Sequence, residues 1–292
     1  MTEEKLDFKH KNKINQICDN YANSSSSHSF VSLYIWRDIF GSSLCIGNEM
    51  FSLKCDTKGE NAWFFPCGDE KEKIEFIDSK KSEEKFSLCY IREEDLEFIK
   101  KYYPNDFIIE ECPQDSEYIY DREAWERLEG RKYAAMRNHI RRAIKDNNLS
   151  VKIITEEDLD NVYNIISVWD RVKRMEGSNG DTDKLSAKTL IKNYRDLSVF
   201  GIMVYVDDIP FAVVAGYPLS DNMFDMCLAK QKSTLSGLSV YAKHQFITLL
   251  DKRYKYINAE EDLGIEGLRI MKQQMQPIGQ IKMYDGRFIG NE

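Results

Sequence analysis

The chain has 292 residues, 42% hydrophobic and 31% charged, with a formal net charge of −8. That apolar share supports a folded core and is too high for global disorder, and the length suits two domains of ordinary size. The acidic balance, with a pI near 5.3, excludes a protein that grips nucleic acid over its whole surface, so any such contact must be local. The longest apolar runs, such as residues 211–215, are far below the ~20 residues that span a bilayer. The first residues are acidic and lack the apolar core of a signal peptide, so a cytoplasmic protein is expected. The seven cysteines show no C-x-x-C pair and no histidine-rich partner tract. They read as reduced, buried thiols, with neither a disulfide framework nor a metal site.

Residues 7–22 carry an apolar stripe (Ile14, Ile17, Cys18, Tyr21) and predict a helix. Residues 28–37 predict a buried helix ended by Gly41, with Trp36 in the core. Three short apolar runs, 44–46, 50–53 and 62–65, are separated by turn residues and read as an antiparallel meander. A helix at 70–83, a strand at 86–91, a helix at 93–102 stopped by Pro104, and strands at 107–109 and 118–120 complete a first unit.

Residues 121–147 read as helix, broken near Gly130. They carry the clearest basic cluster in an acidic chain, including Arg131, Lys132, Arg137, Arg141, Arg142 and Lys145, while Tyr133, Met136, Ile140 and Ile144 take another face. The basic row is either a solvated outer face or a strip that contacts phosphate, with Arg131, Lys132, Arg137 and Arg141 as its members.

A second unit follows. It has a strand at 151–154, a helix opened by a Thr155–Asp158 capping box, a loop at 176–184 and a helix at 186–197. Strands at 199–206, 211–217 and 223–230, a helix at 237–252 and a strand at 254–258 come next. A helix at 264–275 and a last strand at 278–284 close the chain. Three consecutive acids, Glu260, Glu261 and Asp262, stand between the strand end and the late helix. There they either start a helix or line the mouth of a sheet.

The element order strand, helix, helix, three antiparallel strands, helix, strand, helix, strand resembles the GCN5-related N-acetyltransferase (GNAT) fold. Residue by residue, the chain resembles the C-terminal domain of phosphatidylglycerol lysyltransferases. Three places carry the likeness: residues 30–37; Gly130 to Tyr133 with Arg137 to His139; and Asn258 to Gly264 through Gly267, Leu268, Arg269, Lys272 and Pro277. The resemblance implies an α/β (α+β) protein with two tandem GNAT-like (acyl-CoA N-acyltransferase-like) domains joined by a basic helix. The expected boundaries are 1–125, 126–148 for the helix, and 149–292 for the domain that carries the site. It also implies a plan similar to the Fem-type peptidyltransferases, which take amino acids from aminoacyl-tRNA. The membrane-embedded half of the lipid-modifying relatives has no counterpart in this sequence. The acceptor is therefore left open among a small molecule, a peptide and a lipid.

Acyl-CoA users of this fold bind pyrophosphate on a loop Q/R-x-x-G-x-G/A at a helix start, where backbone N–H groups and the helix dipole favour anions. At the equivalent place this chain has residues 231–239, with one glycine, Gly237, beside Ser233, Thr234, Ser236, Leu238 and Ser239. The missing second glycine favours aminoacyl-tRNA over coenzyme A as donor, with no other cofactor required. No nucleophile triad stands out, so direct attack of an amine or hydroxyl acceptor on the donor carbonyl is expected. Asp225 alternates with Phe224, Met226 and Leu228 and shares a face with Cys227, as a base in the cleft or on a solvated sheet face. Glu260 and Asp262 are candidates for an amine, and Arg269 and Lys272 for phosphate or ribose. Tyr284 is either the late tyrosine that protonates a leaving oxygen in many GNAT enzymes or an edge-packing residue. A CoA-dependent N-acyltransferase and an inactive binding module of the same shape are the alternatives.

Overall fold

A computed structural model describes residues 1–176 and 181–290. The chain divides into two compact units. Unit 1 takes Met1–Tyr118, Glu261–Arg269 and Gln280–Glu292, and unit 2 takes Ile119–Glu260 and Ile270–Gly279. The units thus interleave along the chain, where the sequence suggests consecutive blocks.

Unit 1 opens with β1 (Thr2–Lys5), α1 (Lys11–Asn20) and α2 (Phe30–Phe40). Ser29 caps α2 by accepting from the Ser32 N–H, and Gly41 ends it. Then come β2 (Ser43–Ile46), β3 (Met50–Leu53), β4 (Ala62–Phe64), β5 (Cys67–Gly68), α3 (Glu70–Lys80), β6 (Ser87–Arg92), α4 (Leu96–Tyr102) and β7 (Phe107–Glu111). One four-stranded sheet runs β1-β2-β3-β5, with all pairs antiparallel. The predicted meander is therefore split. β4 leaves it and pairs in parallel with β6, because Ala62, Trp63 and Phe64 are apolar in sequence and are buried on both faces. The last strand, β15 (Met283–Phe288), lies between β6 and β7 in a second sheet of order β4-β6-β15-β7. Trp63, Phe65, Phe76, Ile77, Phe86 and Leu88 are among the residues that fill the adjoining core. Each such side chain contributes roughly 1.5–3 kcal/mol on burial.

β8 (Glu117–Asp121) begins in unit 1 and continues into unit 2. α5 (Arg122–Arg127) ends at Leu128 in the left-handed region, and α6 (Ala134–Asp146) follows a short 3-10 turn after Gly130, so the predicted break stands there. Tyr133, Met136 and Ala143 face inward, whereas Ile144, expected on the apolar face, is exposed. β9 (Leu149–Ile153) leads to the Thr155–Asp158 capping box and to α7 (Leu159–Met175). Val162, Ile165 and Ile166 of α7 are fully buried at helical spacing. Of the loop expected at 176–184, residues 177–180 lie outside the described residues, and α8 (Asp181–Lys192) already starts at Asp181. β10 (Phe200–Val206), β11 (Ile209–Pro218), β12 (Met223–Gln231), α9 (Leu238–Leu249), β13 (Tyr256–Asn258), α10 (Glu266–Gln274) and β14 (Gly279–Ile281) complete the elements. The predicted strand at 278–284 is thus two strands, with Lys282 between them, and the second belongs to unit 1.

The large sheet has the order β14-β8-β13-β12-β11-β10-β9. Its β12–β13 pair is parallel and short, from Met223↔Tyr256 to Asp225↔Asn258, after which β12 continues to Gln231 while β13 stops. On the other side of β12, β11 has a register shift at Gly216. A Cβ on Gly216 would sit 1.7 Å from the Asp225 carbonyl oxygen, so no other residue allows that approach. Both irregularities fall beside Asp225. Among the described residues no helix is long and apolar enough to cross a membrane.

Candidate active site

The acidic stretch after β13 divides between the units. In unit 1, Asp262 is 1% exposed and every acceptor position it shows is in use. Its Oδ2 accepts from the Tyr118 hydroxyl (2.8 Å) and from Arg269 Nε (2.9 Å), and its Oδ1 from Arg269 NH2 (3.1 Å) and the Gly264 N–H (2.9 Å). Burial opposes ionisation of this carboxyl, yet the Arg269 fork, the tyrosine and the amide outweigh it and hold the pKa below the ordinary value. The geometry is that of a clasp: a bidentate guanidinium pair closes the loop onto the start of α10. It accounts for Asp262 and Arg269 without a ligand. The loop is strained, with Glu260 (φ 59°) and Leu263 (φ 55°) both left-handed.

In unit 2, the strand ends gather charges of both signs. Asp225 and Asn258 are fully buried and adjacent in register. Asp225, expected either on a solvated sheet face or as a base in the cleft, is therefore buried and not on a solvated face. Burial, and then the charges of Asp225 and Glu260, push the Cys227 thiol well above its usual range. Both carboxylates therefore stand close to one point on β12. Glu260 is half-buried; its N–H donates to Asn258 Oδ1 (2.8 Å). Lys272, 6% exposed, donates from Nζ to the carbonyls of Glu260 (2.9 Å) and Ala259. Its ammonium fixes the loop backbone, where the sequence suggested phosphate or ribose.

Lys243 is the residue that the sequence reading missed. It lies on α9, is 5% exposed, and its Nζ contacts the thioether sulfurs of Met271 (3.4 Å) and Met275 (3.7 Å). Burial, then the charges of Lys272 and Lys230, lower its pKa to about 8. The available signal was the composition of α9. Its flanking Tyr241, Ala242, Phe246 and Ile247 are all buried, so a lysine among them has little water to face.

The donor loop meets the basic helix within unit 2. Gly237 is left-handed (φ +78°), and a Cβ there would lie 2.0 Å from the His139 carbonyl oxygen on α6. Its glycine is thus required by close packing of α9 on α6 whatever the ligand. α9 starts at Leu238 with no side-chain cap and no acid in its first turn. Arg142 NH1 reaches Ser236 Oγ at 3.3 Å. Ser233, Thr234 and Ser239 belong to the same loop and helix start. Of the basic row, Arg137 is tied to the carbonyls of Leu128 and Gly130 (2.8 Å to the latter), whereas Arg131, Lys132 and Arg141 are exposed. Arg141 donates to Asn138 at 3.2 Å, and Lys132 lies 4.9 Å over the Tyr133 ring.

Tyr284 lies on β15 in unit 1, opposite Ile91 and Glu111, and packs against the aromatic core there. Its surroundings fit the edge-packing reading. Two surface cavities fall away from all these residues. One of 520 Å³ in unit 1 is lined by His10, Lys13 and Glu72 among others, and one of 720 Å³ in unit 2 by Thr155, Tyr194 and Arg195 among others.

The fold defines the class first: this is a mixed α/β protein of the tandem GNAT-like kind. A conserved protein of unknown function from Bacteroides thetaiotaomicron VPI-5482 has a similar structure, at 22% identity and TM-score 0.90, with 99% of each chain covered. FemX is similar at 9% identity and TM-score 0.64, over 98% of this chain and 97% of that one. L-PGS from Bacillus licheniformis is similar at 14% identity and TM-score 0.56, over 83% of this chain and 82% of that one. No curated protein sequence matches the chain. The family model described as phosphatidylglycerol lysyltransferase, C-terminal, matches residues 19–285, and the chain belongs to that family. Family and fold together support an aminoacyl- or acyltransferase.

Proposed function

We propose that this protein is a cytoplasmic aminoacyltransferase that takes its group from aminoacyl-tRNA and passes it to an amine or hydroxyl by direct attack. The observation that carries the donor assignment is the uncapped start of α9, seated on α6 beside Arg142. A helix start with free N–H groups is an anion site. Arg141 on α6 and Arg131 and Lys132 in the turn before it extend positive charge from that point, which suits a ligand with several phosphates better than one pyrophosphate. The contact is local, in keeping with the acidic balance of the whole chain, and needs no extended nucleic-acid surface.

In the transfer step the acceptor heteroatom attacks the ester carbonyl, the new C–N or C–O bond forms, and the bond to the tRNA oxygen breaks. Glu260 takes the acceptor proton, with Asp225 as the buried acid beside it. The leaving hydroxyl is reprotonated from solvent or from the base. Asp262 and Arg269 act as positioning residues, because their clasp sets the strained loop that carries Glu260. The acceptor is a small molecule, a peptide or a lipid. The second reading, a CoA-dependent acyltransferase, keeps the same site, and the single glycine at the donor loop, Gly237, where CoA users of this fold carry two, counts against it.

Thermal shift separates the two donors. Charged tRNA at low salt is expected to raise Tm, because a ligand at a hundredfold excess over its Kd stabilises the folded state by ~2.7 kcal/mol. The shift should fall steeply with salt. Transfer in the presence of an acceptor panel should drop about 100-fold in Glu260→Gln with unchanged Tm. A shift with coenzyme A alone overturns the tRNA assignment, and no shift with either leaves a binding module of the same fold.

A further inference from the structure

Lys243 is a buried amine held by no oxygen among the described residues. Its Nζ contacts two thioether sulfurs, at 3.4 and 3.7 Å, and thioethers are weak acceptors. The charged groups that reach it are Lys272 of α10 and Lys230 of β12. Both are cations with partners of their own: Lys272 holds two backbone carbonyls, and Lys230 pairs with Asp183 at 3.0 Å and lies 3.7 Å over the Trp169 ring. A lysine in apolar surroundings beside other cations favours its neutral form, and a neutral amine is the nucleophile.

We propose that Lys243 is a nucleophilic lysine that is acylated on Nζ by activated acyl compounds, esters or thioesters. In that step the neutral amine attacks the carbonyl carbon, the C–N bond forms and the C–O or C–S bond breaks. The alcohol or thiol leaves, and the proton shed by nitrogen goes to the leaving group or to water. The product is an Nζ-amide whose loss of charge suits the site, since the methionine sulfurs never solvated an ammonium. The amide is stable, so Lys243 is a self-modification site, and the direct transfer proposed above does not pass through it. The inference rests on the surroundings of Lys243 and is independent of which donor the protein uses.

The full chain is treated with p-nitrophenyl acetate across pH 6 to 11, followed by p-nitrophenolate release and peptide mass mapping. One acetyl group is expected on Lys243 at least tenfold faster than on any surface lysine, with a rate that rises through about pH 8. Lys243→Arg should abolish that label. Lys243→Met, which matches the neighbouring methionines in shape, should do the same with the fold retained by circular dichroism. Labelling spread over surface lysines, a rate midpoint near the ordinary lysine value, or the same fast label in Lys243→Met would each overturn the proposal. These readouts need neither tRNA nor an acceptor, so failure of the donor assignment leaves them unaffected.

Discussion

Asp262 in unit 1 and Lys243 in unit 2 are both buried charges, and their surroundings differ in kind. Asp262 has a guanidinium fork, a tyrosine hydroxyl and a backbone N–H on its two oxygens. Lys243 has two sulfurs and two neighbouring cations. Both pKa values fall, but for opposite reasons: partners stabilise the ionised carboxylate, whereas burial destabilises the ammonium. The first environment is what a structural charge needs, and the second is what a reactive amine needs. Burial by itself therefore does not mark a functional charge. The balance between burial and partners does.

The largest expected effect breaks the clasp. Asp262→Asn removes the charge facing Arg269 and should cost about 3 kcal/mol in urea unfolding, as for other severed buried pairs. The folded carboxylate is depressed, so its contribution is complete above the ordinary value of 3.8 and is lost as pH falls through the lowered pKa. The acid limb of the wild-type stability curve should flatten in the variant.

The opposite charge should give the opposite sign. For Lys243 the unfolded chain holds the proton more tightly, so stability rises with pH between about 8 and 10.5. Lys243→Met should then stabilise by about 3 kcal/mol at pH 7, with the gain fading across that interval. Urea midpoints measured from pH 6 to 11 read this directly. A gain independent of pH would mean that packing alone was improved.

The smallest expected effect sharpens the contrast between buried and solvated charge. Arg131→Ala and Lys132→Ala should each change stability by less than about 0.5 kcal/mol, as surface substitutions do. Each should also lower the slope of log K against log salt for tRNA binding by about 1. Arg137→Ala, whose side chain ties two carbonyls, should instead lose stability.

Much of this was legible in the sequence. The helical spacing of Val162, Ile165 and Ile166, the Thr155–Asp158 box and the break at Gly130 all appear where the pattern places them. These are local signals, set by backbone geometry and by residues within one turn. The residues quoted for the family likeness led to the family itself. Asp225 was found as a candidate by alternation, but not its burial, because alternation identifies a shared face and not what covers it. Lys272 and Arg269 were selected by helical spacing, yet one turn apart they serve different partners, a pair of carbonyls and a carboxylate. Lys243 was passed over because lysine in a helix is ordinarily a solvated residue.

By itself the sequence determined the element order, the amphipathic faces, the turns and the family, since each rests on interactions between near neighbours. Tertiary structure decided which distant groups meet. Residues 28 and 32 positions away bring their sulfurs to Lys243, Tyr118 comes from 144 positions away to Asp262, and β15 returns to lie between β6 and β7. Strand pairing and side-chain packing select these partners by shape and by the need to satisfy buried polar groups. Neither leaves a fixed spacing along the chain.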